Sequence, residues 1–90
     1  MEKRIYKYQL DVTDWQVLMM PKDAEILTVQ IQNGNVCMWA LVDVLQSPRE
    51  REFHIYGTGN PITDETKNLK YISTFQMRDG RLVFHVFEKI

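Results

Sequence analysis

A short glycine-rich loop carries the residue types best suited to binding an anion. Its sequence is Gly57-Thr58-Gly59-Asn60-Pro61, directly after an apolar and aromatic run. Glycines on both sides of a threonine allow positive φ, so main-chain N–H groups converge on a phosphate and the hydroxyl adds a donor. The alternative is a connection whose glycines only turn the chain. The loop does not match the Gly-x-Gly-x-x-Gly fingerprint of dinucleotide-binding proteins, because Ile62 stands where the third glycine belongs.

Aromatic and basic side chains could supply the other contacts of a nucleotide site. Stacking on an aromatic ring contributes about 1–3 kcal/mol per base, and cationic side chains pair with phosphate. The aromatic candidates are Trp15, Trp39, Tyr56 and Tyr71. The basic candidates are Arg49, Arg51, Lys67 and Lys70. Aromatics in a small β protein are also core residues, and charged connections are commonly solvated, so both interpretations stay open.

Residues that could perform enzymatic chemistry are sparse. His54 and His85 lie in separate strand-like segments between apolar neighbours, where a histidine is a general base or, more commonly, is bonded to a neighbour. Cys37 lies inside a hydrophobic run and is expected to behave as a small hydrophobe. Asp11 and Asp14 flank a turn, where acids more often shape the turn than catalyse hydrolysis. We therefore expect the protein not to be an enzyme.

Metal-ligand spacings are missing from the sequence. There is no His-x-x-x-His, Cys-x-x-Cys or Asp-x-Asp-x-Asp pattern. The single cysteine cannot form an internal disulfide, so nothing marks an oxidising compartment. We expect no metal and no cofactor, and an intracellular location.

Charge and hydropathy exclude two classes of partner. The 90 residues carry a formal net charge of −1, which provides no field of one sign to hold duplex nucleic acid or an anionic membrane. No apolar run approaches the roughly 20 residues of a membrane-spanning helix. With 44% hydrophobic and 26% charged residues, the composition is that of one soluble globular domain.

Alternation of apolar and polar residues predicts seven short strands. They cover residues 6–12, 15–20, 27–32, 36–42, 53–56, 71–77 and 82–87. Asn33-Gly34 and Asp79-Gly80 predict tight primed turns, because such turns need positive φ at their central positions. We predict a charged connection over residues 47–52 and a helical turn within residues 63–70.

The predicted strands indicate an all-β fold in which the chain cannot cover every apolar strand face by itself. The strands at 36–42 and 82–87 are apolar on both faces, so each is expected to be central or to lie at a subunit contact. Seven closely spaced strands predict a single domain over residues 1–90, an antiparallel, hairpin-rich sandwich or barrel. We expect a homo-oligomer, because so short a chain has little material to cover both strands.

Segments along nearly the whole chain resemble a widespread family of small bacteriophage proteins. The segments are Val12-Thr13-Asp14, Met20-Pro21, Val29-Gln30-Ile31-Gln32-Asn33-Gly34, Trp39-Ala40-Leu41-Val42-Asp43, Ile55-Tyr56-Gly57-Thr58-Gly59 with Pro61-Ile62, Thr74-Phe75-Gln76 and Val83-Phe84-His85-Val86-Phe87-Glu88. The family is similar to the anti-CBASS sponge proteins, which assemble as homotetramers and sequester cyclic dinucleotides such as 3′3′-cyclic GMP-AMP. The chain departs from the family pattern at Asn60 and Ser73, where the pattern has histidine and glycine. Asn60 keeps hydrogen-bonding capacity but cannot carry a positive charge.

The resemblance implies a protein of the host bacterial cytoplasm that holds a cyclic dinucleotide without chemistry and silences an immune signal. From side-chain chemistry we expect the ligand to contact Gly57, Thr58, Gly59, Asn60, Tyr56, Arg51, Trp39 and Lys70. Two other functions stay open. One is an interaction module that presents an edge strand or aromatic patch to a host protein, and the other is a minor structural component of the phage.

Overall fold

The computed structural model describes residues 1–62 and 68–90, and this part of the chain is all-β. Its strands are β1 (Lys3–Leu10), β2 (Trp15–Pro21), β3 (Glu25–Gln32), β4 (Asn35–Asp43), β5 (Pro48–Gly57), β6 (Leu69–Met77) and β7 (Leu82–Lys89). They form a three-stranded sheet, β1-β4-β3, and a four-stranded sheet, β2-β5-β7-β6, which pack as a sandwich. Every strand pairing is antiparallel. The predicted all-β class is confirmed, and of the two architectures expected the chain adopts the sandwich.

The two strands with apolar residues on both faces occupy central positions. β4 lies between β1 and β3, and β7 lies between β5 and β6. Each therefore has its main-chain groups paired on both sides. The β3 edge of one sheet also lies beside the β6 edge of the other. The predicted central placement of both strands is confirmed.

The two predicted hairpins form, but their turns differ. Between β3 and β4, Asn33 and Gly34 have φ values of +50° and +81°, as a two-residue primed turn requires. Between β6 and β7 the connection has four residues, because Met77 pairs with Leu82. Here Arg78, like the Asp-Gly pair that follows it, has positive φ. Arg81 N–H donates to the carbonyl of Arg78 at 3.1 Å, which closes a tight turn with Asp79 and Gly80 at its central positions, so this predicted turn is confirmed as well.

The predicted charged connection over residues 47–52 is wrong, because β5 begins at Pro48. The charged half of β5 pairs with β2, and its successive side chains point alternately to the two faces of the sheet. Arg51 points into the sandwich, whereas Glu50 lies on the exposed face. The predicted helical turn falls largely on residues 63–67, which lie outside the described residues. Lys70, at its end, belongs to β6.

The core lies between the two sheets and is built from both. Side chains with essentially no solvent exposure are Phe53, Met20, Met38, Val42 and Val86. Burying one such side chain contributes about 1.5–3 kcal/mol. In the described part of the chain, no helix has the length and hydropathy needed to cross a membrane.

A buried ion pair joins two strands of the larger sheet on its inner face. The Arg51 guanidinium donates two hydrogen bonds to the Glu88 carboxylate, at 2.5 and 2.8 Å. A third N–H donates to the carbonyl of Ala24, in the turn that leads to β3, at 2.6 Å. The hydrogen bonds to Glu88 raise the pKa of Arg51. The pair thus connects β5, β7 and the turn between the sheets.

Removing one partner of this pair is expected to destabilise the fold. Glu88→Ala leaves a guanidinium that is only 19% exposed without its carboxylate, and we expect a loss of about 3 kcal/mol in the free energy of unfolding. Arg51→Met combined with Glu88→Leu should recover most of this loss, because no buried charge remains unpaired. Urea denaturation measures both. Glu50→Ala, on the exposed face, is the control. A loss in Glu88→Ala no larger than in that control would contradict the assignment.

A second prediction concerns acid stability. The main-chain N–H groups of Glu2 and Leu45 donate to the Asp43 carboxylate at 3.0 and 3.1 Å and lower its pKa. A lowered folded-state pKa stabilises the fold above the ordinary carboxyl pKa, about 3.9, and this contribution disappears as the pH falls through the lowered value. The melting temperature of the natural chain should therefore fall more steeply than that of Asp43→Asn between about pH 5 and about pH 2. Parallel curves for the two proteins would show that Asp43 contributes nothing to acid stability.

Candidate functional site

A cavity of about 420 Å³ opens beside the end of β5 and the start of β2. Most of its lining comes from three segments, which are the connection between β1 and β2 with the start of β2, the last residues of β5, and the glycine loop, and β7 adds one residue. Its lining residues are Val12, Thr13, Asp14, Trp15, His54, Ile55, Tyr56, Gly57, Asn60, Pro61 and Phe84. The volume falls within the roughly 300–1,000 Å³ that is usual for small-molecule sites. The cavity therefore has room for a nucleobase and part of its sugar.

The connection between β1 and β2 is held from its main chain. The Gln16 amide donates to the carbonyl of Asp11 at 2.6 Å and accepts from the Asp11 N–H at 3.0 Å. Thr13 N–H donates to the same carbonyl at 3.0 Å. The carbonyl of Asp14 accepts from Ile55 N–H at 3.2 Å, which attaches the connection to β5. These bonds position one wall of the cavity, and none of them involves the side chain of Asp11 or Asp14.

Aromatic rings form the second wall. Trp15 is 60% exposed and lies opposite His54 in the pairing of β2 with β5. The rings of His54 and Tyr56 stack with centroids 6.3 Å apart and planes 17° apart. His54 is buried, and its Nε2 lies 2.6 Å from Glu52. Of these rings, Trp15 has the largest free surface on which a base could stack.

The glycine loop does not form the expected cradle of main-chain donors. Thr58 N–H donates to the carbonyl of Val83 at 3.0 Å, and Asn60 N–H donates to the carbonyl of Gly57 at 3.0 Å. The expectation that the Thr58 amide serves an anion is therefore wrong, because that amide closes the loop onto β7. No described residue accepts a hydrogen bond from the exposed N–H of Gly59. One donor of the loop remains available, at a residue with φ of +87°.

The Asn60 side chain lies against the backbone of Gly57. A β-carbon at Gly57 would lie 2.7 Å from Nδ2 of Asn60, so the end of that flexible side chain would have to move. The absence of a side chain at Gly57 thus leaves room for Asn60, which lines the cavity.

A chain of hydrogen-bonding side chains runs from the glycine loop across the outer face of the larger sheet. Thr58 Oγ1 lies 2.7 Å from His85 Nε2, and His85 Nδ1 lies 2.9 Å from Thr74 Oγ1. Thr74 Oγ1 in turn lies 2.6 Å from the Tyr71 hydroxyl. Sequence reasoning considered Thr58 and His85 separately and missed their contact. The available signal was the two-residue period, but the alignment of β5 against β7 was needed to use it.

One charge dominates the cavity. Asp14 is the only lining residue, among those described, with a carboxylate or a permanently charged cation. No described residue gives its side chain a hydrogen bond or an ion pair. The described residues also contain no group of histidine, cysteine and carboxylate side chains that could hold a metal ion. The cavity therefore presents a free hydrogen-bond acceptor and not a basic surface.

The other residues expected to contact a ligand lie elsewhere. Arg51 and Lys70 line a second cavity of about 370 Å³, near the β3 and β6 edges, and Arg51 is occupied by Glu88. Trp39 lies on the smaller sheet, opposite Lys7 and Thr28. Lys67 falls outside the described residues. The structure brings Tyr56, Gly57 and Asn60 together at the first cavity, with Thr58 and Gly59 in the loop between them.

The Thr58 hydroxyl is expected to stabilise the closed loop. Thr58→Val removes its bond to His85 and keeps the shape of the side chain, so we expect a loss of about 1 kcal/mol in the free energy of unfolding. Thr58→Ser retains the hydroxyl and should lose less. Chemical denaturation of the three proteins measures the difference. A loss in Thr58→Ser with none in Thr58→Val would show that the methyl group, and not the hydroxyl, stabilises the loop.

Comparison with known proteins finds no match among curated proteins and none among solved structures. A family described as a domain of unknown function, DUF7352, matches residues 1–90. This description assigns no activity, ligand or source to its members. The sandwich and its cavity are thus features of a DUF7352 domain, and the chain belongs to that family.

Proposed function

We propose that this protein binds a cyclic nucleotide and sequesters it without chemical turnover. The observation that carries the proposal is the cavity beside β5, in which the exposed Trp15 ring lies close to two polar side chains, Asp14 and Asn60. Nucleotide sites combine a stacking surface with a few polar groups that orient the base.

The proposal places the base inside the cavity and the phosphate at its rim. A phosphate inside would face Asp14, a charge of the same sign. At the rim, the N–H of Gly59, for which no described residue is an acceptor, offers a donor in the exposed loop. In this arrangement the glycine loop contacts the ligand through the main-chain N–H of Gly59. Arg51 stabilises the fold and does not contact the ligand.

Sequestration by a symmetric assembly fits this arrangement. We propose a homo-oligomer, a tetramer by the resemblance, in which the two bases of a cyclic dinucleotide enter cavities of two copies. A dissociation constant of about 1 nM corresponds to roughly −12 kcal/mol. Two stacked bases supply about 2–6 kcal/mol of this free energy, so the phosphate contacts and the buried surface must supply the rest and offset the cost of ordering.

The resemblance to phage proteins suggests the setting. We propose that the ligand is a CBASS-type cyclic dinucleotide such as 3′3′-cyclic GMP-AMP, and that the protein acts in the cytoplasm of an infected bacterium. Binding without hydrolysis would lower the free concentration of the messenger and so inhibit the defence.

Calorimetric titration with 3′3′-cyclic GMP-AMP, cyclic di-GMP and cyclic di-AMP tests the proposed site. Trp15→Ala should weaken binding about 5- to 150-fold, the equivalent of one lost stacking contact. Val17→Ala is the matched control, because Val17 is also exposed on β2 and is not among the described lining residues. Equal affinities of the two variants would place the ligand elsewhere.

Recovery of the ligand distinguishes sequestration from catalysis. The protein is incubated with each cyclic dinucleotide, freed of excess ligand and heated, and the released material is analysed by mass spectrometry. Sequestration predicts intact cyclic dinucleotide in a fixed ratio to protein. Linear or hydrolysed product would identify an enzyme instead.

A second candidate function is supported by the edge of the larger sheet. β2 is an edge strand of seven residues without a charged side chain, and Trp15, Val17 and Met19 are exposed on it. Edge strands that avoid pairing usually carry charges or bulges. The protein would then present β2 to a host protein. Capture of one host protein that is lost in Val17→Lys, with no change of melting temperature on adding nucleotide, would favour this function.

A further inference from the structure

The cavity beside β5 offers one kind of hydrogen-bonding group in excess. A carboxylate accepts hydrogen bonds and donates none. The carboxylate of Asp14 has no partner among the described residues, and Asp14 is one of the residues that line a cavity large enough for a base. A ligand in this cavity therefore gains most if it presents N–H donors to Asp14.

The main chain holds Asp14 ready for such a ligand. Its carbonyl accepts from Ile55 N–H at 3.2 Å, and the Gln16 amide clamps Asp11 three residues earlier. The backbone is held, and the side chain has no partner among the described residues. Ligand binding therefore has to order only the rotamers of the Asp14 side chain, which limits the entropic cost.

The common bases differ in what they offer a carboxylate. Guanine presents two adjacent donors on its Watson–Crick edge, the ring N1–H and the 2-amino group, which match the two carboxylate oxygens. Adenine presents one amino donor beside an acceptor nitrogen, whose lone pair a carboxylate repels. Uracil presents one N–H between two carbonyl oxygens. Paired donors to a carboxylate are therefore available from guanine alone among these three.

We propose that Asp14 is a specificity-determining residue that selects guanine in the cavity beside β5. Guanine stacks on Trp15 and donates to Asp14 through its ring N–H and its 2-amino group. The Asn60 amide, beside Gly57, lies at the same cavity and offers a donor to the 6-carbonyl oxygen. This inference rests on the proposed function and specifies the base: cyclic di-GMP offers a guanine to each of two cavities, whereas 3′3′-cyclic GMP-AMP offers one guanine, and its adenine binds the second cavity more weakly.

Titration with guanosine, inosine and adenosine 5′-monophosphates, together with cyclic di-GMP and cyclic di-AMP, tests the selection. We expect the guanine ligands to bind about 10- to 100-fold more tightly than the adenine ligands, the discrimination of one bidentate contact. Inosine monophosphate, which keeps the ring N–H and lacks the 2-amino group, should fall between them. Equal binding of guanine and adenine ligands would overturn the inference and leave the proposed function standing.

Asp14→Asn tests the residue. The side chain keeps its size, so the preference for guanine should fall to within a few-fold of unity while adenine binding changes little. Asp11→Asn is the matched control, because it removes the same charge from an exposed residue that is not among the described lining residues. A preference retained in Asp14→Asn would overturn the inference. Failure of every nucleotide to bind the natural chain would overturn the proposed function along with it.

Discussion

The ion pair between Arg51 and Glu88 fixes β5 against β7 inside the sandwich, and the third bond of Arg51, to Ala24, connects both strands to the turn between β2 and β3. Such a pair requires good geometry, because removing two charges from water costs several kcal/mol per ion. The alignment of β5 with β7 is thereby specified closely. The candidate site depends on this alignment, since the cavity lies where β5 ends and the Thr58 bonds reach β7.

The two-residue period of the strands divides β5 between stability and recognition. Phe53 and Ile55 point into the core, whereas His54 and Tyr56 lie on the outer face of the same strand. A change of one residue in the pairing of β5 would exchange these two sets. The buried pair and the core therefore protect the position of the aromatic wall as well as the stability of the fold.

Two kinds of segment meet at the cavity, and they are held in different ways. The connection between β1 and β2 is held through its main chain, and the Asp14 side chain has no partner in the part of the chain that the structure describes. The glycine loop is held by Thr58, whose amide and hydroxyl both bond toward β7. The glycines at 57 and 59 thus serve the shape of the loop first, one by making room for Asn60 and the other by adopting positive φ. Asp14, a hydrogen-bond acceptor, and Trp15, a stacking surface, therefore line the same cavity.

The sequence by itself determined the all-β class, most of the strands, the central positions of β4 and β7 and the turn at Asn33-Gly34, because alternation and turn chemistry are local properties. It also marked the glycine loop and Tyr56. Local patterns could not show that the charged start of β5 is a strand, since its pairing with β2 and the Arg51–Glu88 pair are contacts distant in sequence. For the same reason, the sequence did not show that Asn60 lies at one cavity with Asp14 and Trp15. Only tertiary packing brought them to one cavity, and only it turned the Thr58 amide inward.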